Sequence, residues 1–387
     1  MIKYIDEVEI INKKVLVRVD YNVSFKKDGS INDDTRIQNS LPTLNLLLKQ
    51  GNTLILMSHL GKPKGRDISF SMKPVANKLQ TYFKEYSVEL VDDFTQTMPE
   101  MKLNTIYILE NTRFYGGEKK NDPEFSKQLA GLAEIYVDDA FGSVHRAHAS
   151  TVGVAAHLPH YGGLLLKKEV QMIKKVIEAP ERPVVAIIAG AKISSKISLI
   201  EKLMDSADTI LIGGAMTNNF LKAQGKNIGK GLVEEEFVDE AGAMLLLAET
   251  KGKSIILPVD RRIGVQTDET TEPLVKSVDD IEDTDETLDI GPETETLFHS
   301  YITQAKTIIW NGPVGFFENP KFAKGSEAIF HSIITNTQSV SVVGGGDTLS
   351  VIKKLPGKEK ITHISTGGGA MLELIEKGTL PGLDALK

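Results

Sequence analysis

Basic and polar side chains cluster directly after the predicted strands in the first half of this sequence. These strands are short apolar runs at Val15–Val19, Thr53–Met57, Ile106–Leu109 and Ile135–Val137. The candidate binding residues that follow them are Asp20, Asn22, His59, Lys62, Arg113 and Arg146. In an open α/β sheet, ligands bind beyond the carboxyl ends of the strands. We therefore expect these side chains to form one binding site.

Arginine supplies only eight of the 45 basic residues, and lysine supplies the rest. Five of the eight precede residue 150, and three of these, Arg18, Arg113 and Arg146, end a predicted strand or follow one closely. A guanidinium grips a carboxylate or phosphate with two parallel hydrogen bonds, whereas lysine offers a point charge. One such arginine would more simply form a surface salt bridge, but several at one sheet edge predict a pocket for a small, multiply charged anion. Arg18 has a second interpretation, in which it braces Asp20 from inside.

Glycine-rich segments follow the predicted strands of the second half. Their candidate nucleotide-binding residues are Gly190, Gly213, Asn311, Pro313, Gly344, Gly345, Gly346, Thr348, Gly367 and Gly368. Glycine lets backbone amides approach a phosphate closely, and a following helix adds the positive end of its dipole. Lys192 and Lys196 lie four residues apart, so they either share a helix face toward this edge or form a solvated pair. Asp347 is predicted to bind Mg²⁺, to cap the following helix, or both. These features together predict a site for a nucleotide with Mg²⁺.

Apolar, β-branched strands alternate with helical patterns along the whole chain. The strands of the second half are predicted at Val184–Ala189, Thr209–Ile212, Ile255–Leu257, Ile308–Trp310, Val340–Val343 and Ile361–Ser365. Nearly continuous apolar strands separated by helices indicate parallel sheets covered on both faces. The predicted fold is α/β, with two doubly wound, Rossmann-like parallel-sheet domains joined by a hinge helix. The carboxyl ends of both sets of strands are expected to face a central cleft.

The predicted domains are residues 1–170, which carry the anion site, and residues 171–371, which carry the nucleotide site. An amphipathic helix at Leu164–Ile177 is the predicted connector, because Pro180 and Pro183 cannot continue it. Residues 266–296 are acidic and rich in threonine, and we interpret them as a solvated loop.

Composition limits the classes of partner. The net charge of −7 argues against nucleic acid. No apolar stretch approaches the roughly 18 residues of a membrane span, and the N-terminal residues do not form a signal peptide. Cysteine is absent, which excludes thiolate and zinc–thiolate sites and agrees with a reducing cytoplasm. We therefore expect a cytoplasmic protein that binds small molecules, without a nucleic-acid or membrane partner.

At this point the ordered motifs identify a family: from end to end the sequence resembles phosphoglycerate kinase. The motifs that carry the resemblance in the first half are Arg18–Val23, Ser58–Pro63, Glu110–Phe114, Asp139–Gly142 and His145–His148. Those in the second half are Gly190–Lys192, Leu288–Pro292, Asn311–Gly315, Gly344–Thr348 and Thr366–Ala370. No single motif is specific, but their combination in this order is.

The resemblance implies Mg²⁺-dependent phosphoryl transfer from 1,3-bisphosphoglycerate to ADP, giving 3-phosphoglycerate and ATP, by a protein that is usually a monomer. It assigns the glycerate end of the substrate to Asp20 and Asn22. It assigns the substrate carboxylate and the non-transferred phosphate to the basic residues Arg36, His59, Arg113 and Arg146. The family usually has arginine where Lys62 stands, so a two-pronged contact at this position is in question.

The resemblance also implies roles in the second domain. Lys192 and Lys196 meet the nucleotide phosphates, and Arg36, Lys192 and the amides of Gly367 and Gly368 stabilise the transferring group. On the same grounds Glu318 binds ribose, Gly291 lies at the adenine pocket and Asp347 carries Mg²⁺. The last residues, 372–387, are expected to pack back on the first domain.

Other nucleotide-binding classes fit less well. The segment Gly225–Gly231 lacks the spacing and the Ser/Thr of a P-loop, and Val19 is followed by no dinucleotide-binding glycine pattern. A catalytically silent nucleotide- or sugar-phosphate-binding protein is the remaining alternative. Loss of Arg36 or Lys192 would have favoured it, and both residues are present.

We predict that catalysis requires domain closure, because the anion and nucleotide residues lie in separate predicted sheets. In-line transfer needs reacting atoms roughly 3–3.5 Å apart, and closure also excludes water that would hydrolyse the phosphoryl group. Both substrates together should therefore compact the protein more than either alone. Small-angle scattering of the apo, binary and ternary states measures this as a radius of gyration. An active enzyme whose radius is the same in all states would instead require a preassembled cleft.

Overall fold

Two parallel six-stranded sheets form the framework of the chain in a computed structural model that describes residues 1–96, 98–268, 270 and 272–387. The chain divides into two units, one made of Met1–Gln171 with Lys377–Lys387 and the other of Met172–Glu376. Apolar strands alternate with helices in both, and the predicted α/β class with two parallel sheets is confirmed. No helix in the described parts of the chain has the length and apolar character needed to cross a membrane.

The sheet of the first unit has the strand order β3-β4-β2-β1-β5-β6, and every neighbouring pair is parallel. Its strands are Lys14–Arg18 (β1), Thr53–Met57 (β2), Ser87–Val91 (β3), Thr105–Leu109 (β4), Ile135–Asp138 (β5) and His160–Gly162 (β6). Its helices are Thr35–Lys49 (α1), Lys73–Gln80 (α2), Gly116–Lys120 (α3) and Pro123–Ala130 (α4). Because all strands run in one direction, the residues that follow them emerge at one edge of the sheet.

Local signals explain where the helices of the first unit start and stop. At α4, the Asp122 carboxylate accepts a hydrogen bond from the Phe125 amide at 2.9 Å, and Pro123 follows in the first turn. At the end of α3, Asn121 takes the left-handed conformation with φ 52°. The first turn of α1 contains no acidic residue, and this turn carries Arg36 to the edge where β1 ends.

The main sheet of the second unit has the order β15-β14-β13-β7-β8-β9, again parallel throughout. Its strands are Val184–Ala189 (β7), Thr209–Gly213 (β8), Ser254–Ile256 (β9), Thr307–Asn311 (β13), Val340–Gly344 (β14) and His363–Ile364 (β15). The helices around it are Ile197–Ser206 (α6), Thr217–Ala223 (α7), Val238–Thr250 (α8), Pro292–Gln304 (α9), Lys324–Thr335 (α10) and Gly346–Ile352 (α11). The strands of this sheet lie within about two residues of their predicted bounds, which is the usual uncertainty of an element boundary.

The interpretation of residues 266–296 as a solvated loop was wrong. Together with Asp260–Ile263 (β10), this segment forms an antiparallel sheet through Leu274–Ser277 (β11) and Thr287–Ile290 (β12). Its acidic residues are not all solvated: Asp289 is fully buried, pairs across the sheet with Arg262, and accepts a 2.8 Å hydrogen bond from the Gly325 amide. The polar composition led to the wrong prediction because a carboxylate such as Asp289 can be buried in a strand when the fold supplies its hydrogen-bond partners. Glu269 and Thr271, part of the same prediction, lie outside the described residues.

The chain passes twice between the units, each time along a helix. The first passage is α5 (Leu164–Glu178), and the return is α12 (Gly368–Lys377). A last helix, α13 (Pro381–Asp384), then belongs to the first unit, where the Gly382 amide donates a 2.8 Å hydrogen bond to the Val144 carbonyl. Leucines 380, 383 and 386 around it are buried. The first unit is therefore built from both ends of the sequence.

Candidate functional site

A cationic cluster forms where β1, β2, β4 and β5 of the first unit end. Arg18 is the last residue of β1, His59 lies two residues beyond β2, and Arg113 sits in a 3₁₀ turn after β4. Arg18 Nη2 lies 3.2 Å from His59 Nδ1. The charges that act on His59 include those of Arg18, Asp20, Arg113 and Arg146, so the structure brings these predicted site residues together.

Asp20 is the carboxylate within this cluster. It is buried, forms an ion pair with Arg36, and accepts a 3.2 Å hydrogen bond from the Asn22 amide. Burial alone would raise the pKa of Asp20, but the positive charges of Arg36 and then Arg18 hold the pKa below its usual value. Asp20 is therefore ionised at neutral pH, and its ion pair fixes Arg36 at the edge of the sheet.

Arg113 is a buried guanidinium whose hydrogen-bond donors are only partly satisfied. Its side chain is buried, its Nη1 donates to the Gly61 carbonyl, and its Nε is buried with no hydrogen-bond partner among the described residues. Burial, and then the like charges of Arg146 and Arg18, lower the pKa of Arg113 to about 10. A guanidinium in this state gains strongly from an anion that reaches it.

The remaining predicted residues of this site differ in exposure. Asn22 is held in place, since its Oδ1 accepts from the Gly61 amide at 2.8 Å. The Nε of Arg146 donates to His145 Nε2 at 3.0 Å, and the side chain is half-buried. Lys62 is exposed. Its contact with a ligand stays a prediction.

In the second unit, Asn311 at the end of β13 ties neighbouring loops together. Its Oδ1 accepts from Lys196 Nζ at 2.8 Å, and its Nδ2 donates to the Gly344 carbonyl at 2.7 Å. The next residue, Gly312, donates its amide to Thr348 Oγ1 at 2.8 Å. The segments after β7, β13 and β14 therefore meet at one edge of the sheet, which carries most of the predicted glycine residues.

Close backbone approach explains the glycines at this edge. Gly312 has φ +94°, and a Cβ added there would lie 2.0 Å from the Ala189 carbonyl oxygen. A Cβ on Gly368 would lie 2.5 Å from the Gly345 Cα. No side chain fits between these loops. Backbone amides, including that of Gly368 at the start of α12, are thus the main groups that this edge presents.

The structure excludes one of the alternatives predicted for the lysine pair and one of those predicted for Asp347. Lys192 and Lys196 do not share a helix face, because α6 begins only at Ile197. Lys192 is exposed in the preceding loop, whereas burial lowers the pKa of Lys196 despite the opposing charge of Asp347. Asp347 does not cap α11, since Gly345 occupies the cap position; it lies exposed in the first turn of that helix.

The predicted adenine and ribose residues lie in different surroundings. Gly291 is buried at the start of α9, where a Cβ would lie 2.2 Å from an oxygen of the Asp260 carboxylate. That carboxylate accepts from the Thr294 amide at 2.8 Å, so Gly291 makes room for a helix cap. Glu318 is exposed and Pro313 half-buried. Gly213 is buried, and a Cβ there would overlap Val314.

Sequence reasoning missed two buried residues behind the cationic cluster. Glu118 of α3 and Ser150 are both fully buried and hydrogen-bonded to each other, with Ser150 Oγ 2.6 Å from Glu118 Oε1. Their only sequence signal is that Ser150 lies two residues after the His145–His148 motif. Within the described parts of the chain, no group of three or more His, Asp or Glu side chains is arranged to hold a metal.

Comparison with known proteins gives the same family from sequence and from structure. The family model described as phosphoglycerate kinase matches residues 5–378. A phosphoglycerate kinase of Dictyoglomus turgidum is 46% identical over 379 residues, which are 97% of this chain and 96% of the relative. A phosphoglycerate kinase of Finegoldia magna is also 46% identical, over 99% of this chain and 98% of the relative.

Solved structures agree. The structure of phosphoglycerate kinase from Coxiella burnetii superposes with a TM-score of 0.92 at 37% identity, covering 100% of this chain and 99% of that one. The crystal structure of phosphoglycerate kinase from Pyrococcus horikoshii gives a TM-score of 0.86 at 30% identity, covering 99% and 98%.

The glycine geometry predicts unequal effects of two glycine-to-alanine changes. Gly312→Ala should destabilise the second unit by about 1–3 kcal/mol, because it adds a Cβ at positive φ against a backbone carbonyl. Gly346→Ala is the control, since a Cβ there meets nothing within 4 Å. Trp310, the one tryptophan, is buried in β13 and reports unfolding of this unit by fluorescence. Equal denaturation midpoints for the two variants would contradict the steric argument.

Proposed function

The chain belongs to the phosphoglycerate kinase family and is a phosphotransferase, and from this premise we propose which of its residues perform the transfer from 1,3-bisphosphoglycerate to ADP. The observation that carries the assignment of the substrate is the buried guanidinium of Arg113, which lies among like charges and has an unpartnered Nε. Arg113 lacks a partner for Nε and has a lowered pKa because of burial and its like-charged neighbours. A small ligand with a phosphate and a carboxylate supplies the missing negative charge.

In this proposal the substrate binds through its two charged ends. Arg113, Arg146 and neutral His59 hold the non-transferred phosphate and the carboxyl end, with Lys62 as a peripheral charge. Asp20 and Asn22 hold the glycerate hydroxyl. Asp20 suits this role because it is ionised and therefore accepts hydrogen bonds.

The nucleotide is assigned to the glycine-rich edge of the second unit. Its phosphates would meet Lys192, Lys196 and the amides around Gly190, Gly213, Gly344 to Thr348, and Gly367 with Gly368. Backbone amides at a helix start suit phosphate, and α12 begins at Gly368. Asn311 holds Lys196 in place. Glu318 remains the proposed ribose contact, and Pro313 would form part of the pocket wall. Gly291 is buried and has no side chain, so it would contribute only to the shape of the adenine pocket.

The chemistry needs positioning and charge neutralisation. The acyl-phosphate P–O bond breaks, a terminal oxygen of ADP bonds to the phosphorus, and the substrate carboxylate leaves as the anion. Because the attacking phosphate oxygen is anionic and the leaving carboxylate is stable as an anion, no proton has to be moved. Arg36, Lys192 and the Gly367 and Gly368 amides would stabilise the charge on the transferring group.

Mg²⁺ is proposed to accompany the nucleotide and is held by Asp347. The carboxylate fits: it is exposed in the first turn of α11, beside Lys196, and the described residues form no larger ligand cluster. Mg²⁺ is typically bound by one or two carboxylates together with phosphate oxygens. When bound, the ion would neutralise phosphate charge.

The silent-binding alternative is not favoured, since Arg36 and Lys192 are both present and the whole chain matches phosphoglycerate kinases. We further propose that the protein is cytoplasmic, because the chain lacks cysteine and the family is glycolytic, and that it is a monomer, because phosphoglycerate kinases usually are. A coupled assay for ATP formation tests the reaction directly.

Arg36→Lys should lower kcat by about 10²–10³-fold, since it keeps the charge but loses the planar donor pair that fits the transferring group. Stability should change little, because lysine can still pair with Asp20. Arg66→Lys is the control: Arg66 also forms an ion pair, with Asp92, but at an exposed position. Near-normal turnover of Arg36→Lys, with unchanged Arg66→Lys, would refute the role of Arg36.

Asp347→Ala should weaken binding of Mg–ADP by about tenfold, as loss of one charged ligand group would predict. Binding of metal-free ADP and of 3-phosphoglycerate should stay the same, because only the metal contact is removed. Isothermal calorimetry measures all three affinities. Asp239→Ala, at another exposed acidic first-turn position, is the control. Equal losses for all three ligands would indicate a folding defect and not a lost metal ligand.

A further inference from the structure

Arg18 is a fully buried arginine whose hydrogen bonds go to neutral groups. Its Nε donates to Ser150 Oγ at 2.9 Å, its Nη1 to the Val19 carbonyl at 2.5 Å, and its Nη2 lies 3.2 Å from His59 Nδ1. Being only 1% exposed, Arg18 has little surface to offer a ligand. Its position behind His59 suggests that it acts on the site through that histidine.

Ser150 links Arg18 to a buried carboxylate. Its hydroxyl lies 2.6 Å from Glu118 Oε1, and its amide donates to Glu118 Oε2 at 3.0 Å. Burial opposes the charge of Glu118, but His148 and then Arg18 keep its pKa below the usual value. The sequence separation of 132 residues between Arg18 and Ser150 means that only the folded chain brings them together.

The chemistry of these groups fixes the direction of every hydrogen bond. A guanidinium only donates and a carboxylate only accepts, so Ser150 Oγ accepts from Arg18 and donates its proton to Glu118. For the same reason Nη2 of Arg18 donates to His59, and Nδ1 of His59 must be the unprotonated nitrogen. The imidazole proton is then on Nε2.

We propose that Ser150 is a positioning residue: held between Glu118 and Arg18, its hydroxyl fixes His59 as a neutral imidazole that donates from Nε2. This deepens the proposed function and rests on the assignment of His59 to the substrate. His59 then donates a directional hydrogen bond from Nε2 to an anionic oxygen of the ligand, while the arginines supply the positive charge. No described protein group accepts from Nε2, which leaves that donor to a ligand.

The surroundings of His59 support a neutral ring. The charged groups that face it are Arg18, Asp20, Arg113 and Arg146, of which only Asp20 favours protonation. Burial, and then Arg18, lower the pKa of His59 well below its usual value. Protonation of Nδ1 would also place a proton against the guanidinium of Arg18.

The tautomer can be tested without any substrate. Long-range ¹H–¹⁵N correlation spectra of the histidine-labelled full chain distinguish the two neutral tautomers and the cation. The chain has eight histidines, and His59→Gln identifies the signal of interest. We expect His59 to be protonated only at Nε2 between about pH 6 and 8, a range that spans the ordinary pKa of histidine. A His59 that is the Nδ1–H tautomer or the cation in this range would overturn the proposal.

Ser150→Ala tests the linkage. Arg18 loses the acceptor of Nε, so we expect a mixture of His59 tautomers and a KM for 3-phosphoglycerate raised by about tenfold, with kcat changed by less than about threefold. Thr151→Val is the matched control, because Thr151 is equally buried in the same turn and its hydroxyl has no partner among the described residues. Its tautomer and KM should match those of the parent protein.

The outcomes separate this proposal from the proposed function. If Ser150→Ala leaves both the His59 spectrum and KM unchanged, the positioning role is refuted while the kinase assignment stands. If the tautomer behaves as expected but 3-phosphoglycerate does not perturb the His59 signal, the assignment of His59 to the substrate fails, and the positioning role in catalysis with it. A raised KM in Thr151→Val as well would show that the effect is a general response of this turn.

Discussion

A guanidinium that leaves water without forming a direct ion pair loses hydration free energy that hydrogen bonds to neutral groups replace only in part. Arg18 and Arg113 are both in this position, and Arg146 adds a further like charge. The carboxylates that approach them, Asp20 and Glu118, compensate in part. The fold of the first unit holds these partly compensated guanidiniums at the end of a stiff parallel sheet. In the proposed function, an anionic substrate would supply further negative charge, and its affinity would recover part of this desolvation cost.

The second unit meets an anion by other means. Its edge is built from backbone, and the contact of Gly312 with the Ala189 carbonyl leaves no room for side chains between its loops. The uncharged side chain of Asn311 joins three of these loops by hydrogen bonds to Lys196 and to the Gly344 carbonyl. Backbone amides are held in place by the fold and are uncharged. Burying them without an anion therefore costs less free energy than burying arginines. Such a site would suit the proposed nucleotide, which must bind and dissociate in every turnover.

The sequence predicted the fold well where one local rule decided it. The parallel strands were recognisable because each is a short apolar run, and the residues after them had to share an edge. The antiparallel sheet containing Asp289 was missed because its buried carboxylates have partners that lie far away in sequence. The spacing of Lys192 and Lys196 misled for a related reason, since i and i+4 face alike only within a helix. Ser150 and Glu118 could not be found at all, because their roles exist only through contacts made in the folded chain.

The return of the chain through α12 has a consequence for how the protein is made. Residues 377–387 belong to the first unit, yet the ribosome adds them after the whole of the second. Most of the first unit is therefore synthesised early. The Val144 carbonyl can accept its hydrogen bond from the Gly382 amide, and the leucines around α13 can pack, only after the C-terminal residues have been added. Domains generally fold in the order of their synthesis. Here the first unit is completed only after the second has been synthesised, and a truncation that removes α13 would leave the first unit incomplete while sparing the second.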